Sequence, residues 1–398
     1  MKISSSLHFF RSMLRRTPIY YFWRKFREYQ QIKAFHELLD RICPRVSIDF
    51  INYEESIRNR LQKSANWRRE INTPGARISV AAFGTNDWEQ YGLWPSFKRK
   101  SHFCLFDYKE WIRLNGYKRA SPEVRSKLSN AFKKFIDGAD SKSKVNIAFF
   151  YADSKFIHPD ILSWLHERGI WTVLMGLDDK HRFRSRSQFG MSLGQELLAT
   201  DFDIVWTTWK TGLLLYQMIG ANAWYAPEAA DPEYFHPMDN NRDIKIVFVG
   251  QAYGPRLNLI RYLNRRGFDV QCFGSGWQNG FVSHNEMVNL YSRAKVVLGV
   301  GHVQSMAWVQ HLKGRDFEVP MCGAVYLTSY NHELADHFEI GSEILCYSSF
   351  TECAEMLHWL LSNEAFTDSI RSAALERSLR SHTWDKRIQQ LISLFPLR

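Results

Sequence analysis

No run of about 18 apolar residues occurs in the 398-residue chain, so no helix is expected to cross a membrane. The six cysteines, Cys43, Cys104, Cys272, Cys322, Cys346 and Cys353, include no CxxC pair and no metal-like spacing. They read as reduced, structural thiols of a cytoplasmic protein, not as a disulfide frame or a zinc site. HExxH is absent, no GxSxG stands as a nucleophile elbow between a strand and a helix, and no Gly-Lys-Ser/Thr loop follows a strand. The first strand-to-helix turn, Phe83-Gly84-Thr85-Asn86-Asp87-Trp88, lacks a complete GxGxxG. These gaps argue against zinc peptidases, α/β-hydrolases and P-loop enzymes. No zinc finger or RNP-like segment is present, so no nucleic-acid partner is expected. The N-terminus has no clean apolar stretch before a small-residue cleavage site, so secretion is not expected either.

Acidic residues are missing from the first 27 positions, which carry seven basic ones. Residues 1–75 hold 15 Lys and Arg against 7 Asp and Glu, most of the net charge of +11. Here Phe9, Phe10, Tyr20, Tyr21, Phe22 and Trp23 are interleaved with Arg11, Arg15, Arg16, Arg24 and Lys25, and Pro18 divides the stretch. Two readings fit: helices lying in an anionic membrane surface, peripheral to the inner face of the cell membrane, or helices packed on the body with a solvated basic face. A non-catalytic membrane- or nucleic-acid-binding protein is the corresponding alternative function.

The rest is ordinary globular material, 45% apolar and 23% charged, long enough for two domains. Apolar β-rich runs at 77–83, 103–107, 145–151, 170–175 and 203–208 alternate with helical stretches at 123–137, 158–168 and 190–200. Turn-rich residues 226–241 follow. The alternation restarts with strands at 244–250, 269–274, 295–301, 324–329 and 344–347 and helices at 255–266, 284–293, 351–361 and 364–380. This predicts an α/β chain of two Rossmann-like, doubly wound domains facing a cleft. The expected divisions are a basic helical extension over 1–75, a first domain over 76–235, a second over 236–380 and a final helix over 381–398.

Four segments carry chemistry. In Phe248-Val249-Gly250-Gln251-Ala252-Tyr253-Gly254-Pro255-Arg256, a strand ends at glycine and a helix opens beside an arginine, which suits a phosphate or is a tight turn with a surface arginine. Cys272-Phe273-Gly274-Ser275-Gly276-Trp277 is a second glycine-rich strand end, and backbone near Val282 is placed to read a nucleobase edge. In Lys313-Gly314-Arg315-Asp316-Phe317-Glu318, Glu318 is either a helix cap or a carboxylate for ribose hydroxyls, with Arg315 near phosphates. Asp178-Asp179-Lys180-His181 ends a strand of the first half; Asp178, Asp179 and His181 are candidate catalytic groups or a plain polar loop.

In this order, these segments resemble the spore-maturation-type (CgeB-like) branch of the group 1 glycosyltransferases, which have the GT-B fold. The likeness runs over about 77–395, through Phe248-Val249-Gly250 with Arg256, Tyr291 to Leu298, Arg315 to Gly323, and His382-Thr383-Trp384 with Arg387. In the first half it includes Asp178 to Phe183 and Ala229 to Phe235. The resemblance implies sugar transfer from a nucleotide-activated donor held by the second domain, through Gly250, Tyr253, Arg256, Gly274, Val282, Arg315 and Glu318. It places the acceptor (a glycan, lipid-linked or protein hydroxyl) on the first domain, near Gly84 and Asp87, and the last helix back across that domain. It implies neither cofactor nor metal, and it suggests a role in cell-envelope glycan synthesis. Many relatives carry two glutamates eight positions apart. Here the first, which would contact the donor sugar, is Gln310. A nucleotide-sugar epimerase or hydrolase on the same scaffold is the nearest alternative.

Overall fold

The computed structural model describes residues 52–69, 77–177, 179–188, 191–238, 241–303 and 306–396, and helical positions 30, 33, 34 and 37. Of residues 1–50, a separate unit from 51–398, an exposed Lys33–Glu37 ion pair one helical turn apart is described. The proposed interfacial segment around Pro18 lies outside the described residues. Among the described residues, no helix is long and apolar enough to cross a membrane.

Two parallel sheets organise residues 51–398. The first joins β1 (Ser79–Gly84), β2 (His102–Asp107), β3 (Ile147–Phe150), β4 (Trp171–Gly176), β5 (Ile204–Thr207) and β6 (Ala223–Tyr225), in the order β2-β1-β3-β4-β5-β6. The second joins β7 (Ile244–Val249), β8 (Val270–Phe273), β9 (Ala294–Leu298), β10 (Tyr326–Ser329) and β11 (Leu345–Tyr347), in the order β8-β7-β9-β10-β11. Every pairing in both is parallel. Parallel strands covered by helices on both faces read as continuous apolar runs, and β1 and β4 are buried at every residue. The order reverses between β1 and β3 and between β7 and β9. Crevices therefore open beyond the carboxyl ends of those strands.

An aromatic core holds the first half: Trp94, Phe97, Phe149, Trp171, Trp206 and Trp224 are all buried in one cluster. Helix α1 (Tyr53–Ser64) belongs to it through Ile57 and Leu61. That part of the basic 1–75 stretch therefore packs on the first sheet, where Arg68 also pairs with Asp203 at 2.7 Å.

The last helix, α2 (Trp384–Ser393), crosses back as the resemblance implied. Trp384, Ile388 and Leu391 are buried in the first-half core. Its crossing chain hydrogen-bonds to the outgoing one: Ala230 N–H donates to His382 O (3.0 Å) and Trp384 N–H to Ala230 O (3.1 Å). Arg99 ties both together, donating to Asp231 (2.6 Å) and Asp385 (2.7 Å). Ala226, Ala229, Ala230 and Asp231 are buried, so this part of the turn-rich segment is a built crossing, not a solvated linker.

One expected helix is corrected. Residues 190–200 include the strand Met191–Leu193, hairpinned to Arg186–Gln188, then 3-10 turns at Gln195–Leu197 and Ala199–Asp201. Gly194 at φ 149° breaks any helix there, and its Cβ position lies 2.7 Å from Ser185 Cα. The helix Lys210–Met218, strand β6 and the hairpin His302–Val303/Met306–Gln310 were not foreseen.

Gly92 tests the crossover packing. A Cβ there would meet the Trp384 ring at 2.4 Å. Gly92→Ala should lower unfolding stability by about 1–3 kcal/mol, read from the urea midpoint, and pairing it with Trp384→Leu should recover part of that loss.

Candidate donor and acceptor sites

The second-half crevice gathers most of the foreseen residues. Gly250 ends β7 at φ 156°, donating its N–H to Phe273 O at 2.8 Å. A side chain there would crowd two guanidinium groups. Its Cβ position lies 3.1 Å from Arg315 Nη2 and 3.3 Å from Arg256 Nη1. Gly274, at the end of β8, presses on the same turn, its Cβ position 2.6 Å from Gly250 O. Trp277 clamps the turn from its side, donating from Nε1 to Gly250 O at 2.7 Å.

Helix α3 (Pro255–Arg265) brings Arg256 inward, and helix α4 (Arg315–Met321) brings Arg315. Arg256 is buried over the Tyr253 ring (4.1 Å to its centroid) and donates from Nη1 to Gln251 O at 3.0 Å. Among the described residues, its Nε has no acceptor, and neither do Nε and Nη1 of Arg315. Burial, and then the Arg315 charge, push Arg256 down to about 10. Burial, Arg315 and Arg256 likewise hold Lys313 below its usual value. Unfilled, buried cationic donors around a glycine turn are a cradle for an anion with several oxygens.

Glu318 is not the helix cap. The residue that closes the turn is Asp316, which accepts from Lys313 N–H (2.8 Å) and from the Tyr326 hydroxyl (2.9 Å). No side-chain hydrogen bond of Glu318 is found among the described residues. Burial pushes its carboxyl up to about 7, while nearby Arg315 works against that rise. A carboxylate from the first half joins it. Measured from the Cβ position of Gly314, Glu318 Oε1 is at 2.7 Å and Glu228 Oε2 at 3.0 Å. Glu228 was read only as part of a turn. Nothing local marks it, because chain crossing rather than spacing brings it there.

Two other foreseen residues, Gln310 and Val282, have contacts of their own. Gln310 spends its carbonyl on Lys180 Nζ (2.5 Å), and its side chain accepts weakly from Ser329 (3.5 Å). Val282 is half-buried against the second-half core. Lys180 also pairs with buried Glu333 at 2.7 Å, so the end of β4 is latched to the segment after β10. His311 adds a second bridge, to Leu177 O.

In the first half, Asp179 faces inward and does not line the crevice. Its carboxyl fills the space over Gly176, whose Cβ position is 2.2 Å from Oδ1, and accepts from Thr207 at 2.8 Å. Asp178 lies outside the described residues, as does the side chain of His181. Gly84 makes room for Trp94, whose ring is 2.6 Å from its Cβ position. Asp87 pairs with Lys109 at the rim of a cavity of about 440 Å³. This cavity opens beyond β1, β3 and β4, and Glu89, which the sequence reading passed over, lines it.

Residues 256–393 match the family described as glycosyl transferase-like. The fold matches sucrose-phosphate synthase from Thermosynechococcus elongatus, at 12% identity and TM-score 0.54, over 80% of this chain and 98% of that one. It also matches HepE of Anabaena, solved with UDP and glucose, at 12% identity and TM-score 0.53, over 80% and 100%. A glycosyltransferase from Rickettsia africae matches at 8% identity and TM-score 0.55, over 80% and 98%. No curated protein matches by sequence. The fold is therefore GT-B.

The raised Glu318 carboxyl gives a signed prediction. Its ordinary value is 4.5 and its folded value about 7. Between these values the unfolded chain gives up the proton while the folded one keeps it. Stability thus falls as pH rises through this window, and the penalty is complete above about 7. Glu318→Gln should be more stable than the parent at pH 8, by on the order of 1–3 kcal/mol. The gain should vanish below about pH 4.5. Melting temperatures across pH check this.

Proposed function

We propose that the protein is a glycosyltransferase of the CgeB-like branch that moves a sugar from a nucleoside diphosphate donor to an acceptor hydroxyl. One observation carries this: Arg256 and Arg315 converge on Gly250 with unfilled N–H donors at the carboxyl end of β7. The glycosyl transferase-like match, which spans Arg256 and Arg315, supports it. So does the GT-B likeness to HepE, a protein solved with UDP-glucose. The diphosphate lies against the Gly250 turn, and Glu318 accepts from the ribose hydroxyls. The acceptor arrives from the first half, at the cavity bordered by Asp87.

Chemistry follows from charge. As the glycosidic C–O bond breaks, negative charge grows on the leaving diphosphate. Arg256, Arg315 and Lys313 already surround that position, so little reorganisation is needed. Three fixed cations supply what a metal would otherwise provide, and we propose transfer without one. We further propose a cell-envelope or lipid-linked glycan as the product, with the basic N-terminus at the inner membrane face. The aromatic–basic pattern of residues 9–27 supports this.

Calorimetric titration with UDP, GDP, ADP and CDP tests the donor site. At least one should bind the parent protein. Arg315→Gln should weaken that nucleotide by about 1.5–3 kcal/mol, the range for hydrogen bonds to charged groups. Glu318→Ala should weaken the nucleotide while leaving inorganic pyrophosphate unchanged. Equal losses for both ligands would place Glu318 away from the ribose.

A further inference from the structure

The first-half cavity is described by the groups that remain unsatisfied in it. Gln195 lines it and is only 5% exposed, and its Oε1 has no hydrogen-bond partner. A buried carbonyl without a donor is destabilising by about 1–3 kcal/mol and calls for an incoming O–H or N–H. Glu89 offers more acceptor capacity. Its two oxygens take the Thr85 hydroxyl (2.5 Å) and the Asp87 N–H (2.7 Å), which leaves lone pairs on each. No cation pairs with it among the described residues, and burial raises its carboxyl above the usual range.

The cations of the wall are already taken. Lys109 pairs with Asp87, and Asp153 takes both Arg182 and Lys155. An entering phosphate would meet a buried carboxyl, and among the described residues each cation of this wall already faces a carboxylate. The remaining wall is aromatic. Trp88 and Tyr151 meet edge to face at 5.7 Å, which leaves flat apolar surface beside the acceptors. A volume of about 440 Å³ lies within the ~300–1,000 Å³ of small-ligand sites.

We propose that this cavity is the acceptor subsite and takes an uncharged, hydroxyl-rich ring, a non-phosphorylated sugar unit, whose hydroxyls donate to Gln195 and Glu89 while its C–H face lies on Trp88 and Tyr151. The proposal rests on the glycosyltransferase reading and names the acceptor class that reading leaves open. Glu89 and Gln195 are specificity residues here. Gln195 stands one residue past the positive-φ Gly194, whose N–H is held by Ser154 Oγ at 2.9 Å, so the backbone that carries it is held in place.

The test is saturation-transfer NMR on the full chain with glucose, galactose, mannose, N-acetylglucosamine and glucose 6-phosphate, beside the nucleoside diphosphate titration. At least one neutral sugar should bind the parent, and glucose 6-phosphate should bind more weakly than glucose. Gln195→Met keeps the length of the side chain and removes the orphan carbonyl. It should weaken the neutral sugar about tenfold or more, leave the nucleotide unchanged, and leave the melting temperature equal or higher. Glu89→Gln should weaken the sugar as well. Three results would overturn the proposal: the phosphorylated sugar binds as well as its parent, Gln195→Met binds sugar normally, or no sugar binds a protein that binds a nucleotide. A folded protein that binds neither sugar nor nucleotide sinks the donor reading along with it.

Discussion

Two arginines held side by side at one glycine turn are the constraint on which the second half turns. Arg256 and Arg315 come from different helices, yet both lie 3.1–3.3 Å from the Cβ position of one glycine. Burial first, and then the like charge of Arg315, push Arg256 down to about 10. Such an arrangement persists only because the surrounding structure over-determines it. Gly250 must lack a side chain, Gly274 must pack on its carbonyl, and Trp277 must clamp the turn. The Glu318 carboxyl, displaced upward by burial, is the acidic counterpart of the same strain. A diphosphate and a diol would relieve both.

The halves are not joined by a loose tether. The outgoing and returning chains hydrogen-bond at Ala230, and Arg99 binds carboxylates of both. At the crevice itself, Lys180 reaches Glu333 and Gln310 O, and His311 reaches Leu177 O. A buried ion pair of this kind contributes geometry more than stability. Here it sets the carboxyl end of β4 against the segment after β10.

Much of the fold was legible because strands of a parallel sheet, buried on both faces, appear as unbroken apolar runs; β1, β4 and β7 lie within a few residues of their sequence readings. The convergence of Gly250, Arg256 and Arg315 was legible too, since they sit at strand ends and helix starts. Side-chain direction was not. Asp179 ends a strand like a catalytic carboxylate, but Gly176 leaves a hollow into which it turns. The apolar content of 190–200 suggested a helix that Gly194 forbids. Glu228 and Gln195 carry no local signal. One is delivered by chain crossing, and the other matters only because its carbonyl finds no partner.

The most direct measurement is a crystal structure of the full chain with the nucleoside diphosphate that binds it. The account predicts phosphate oxygens at about 2.7–3.2 Å from both Arg256 and Arg315 beside Gly250, with ribose hydroxyls on Glu318. A diphosphate bound elsewhere, with the two guanidinium groups still facing each other empty, would contradict it.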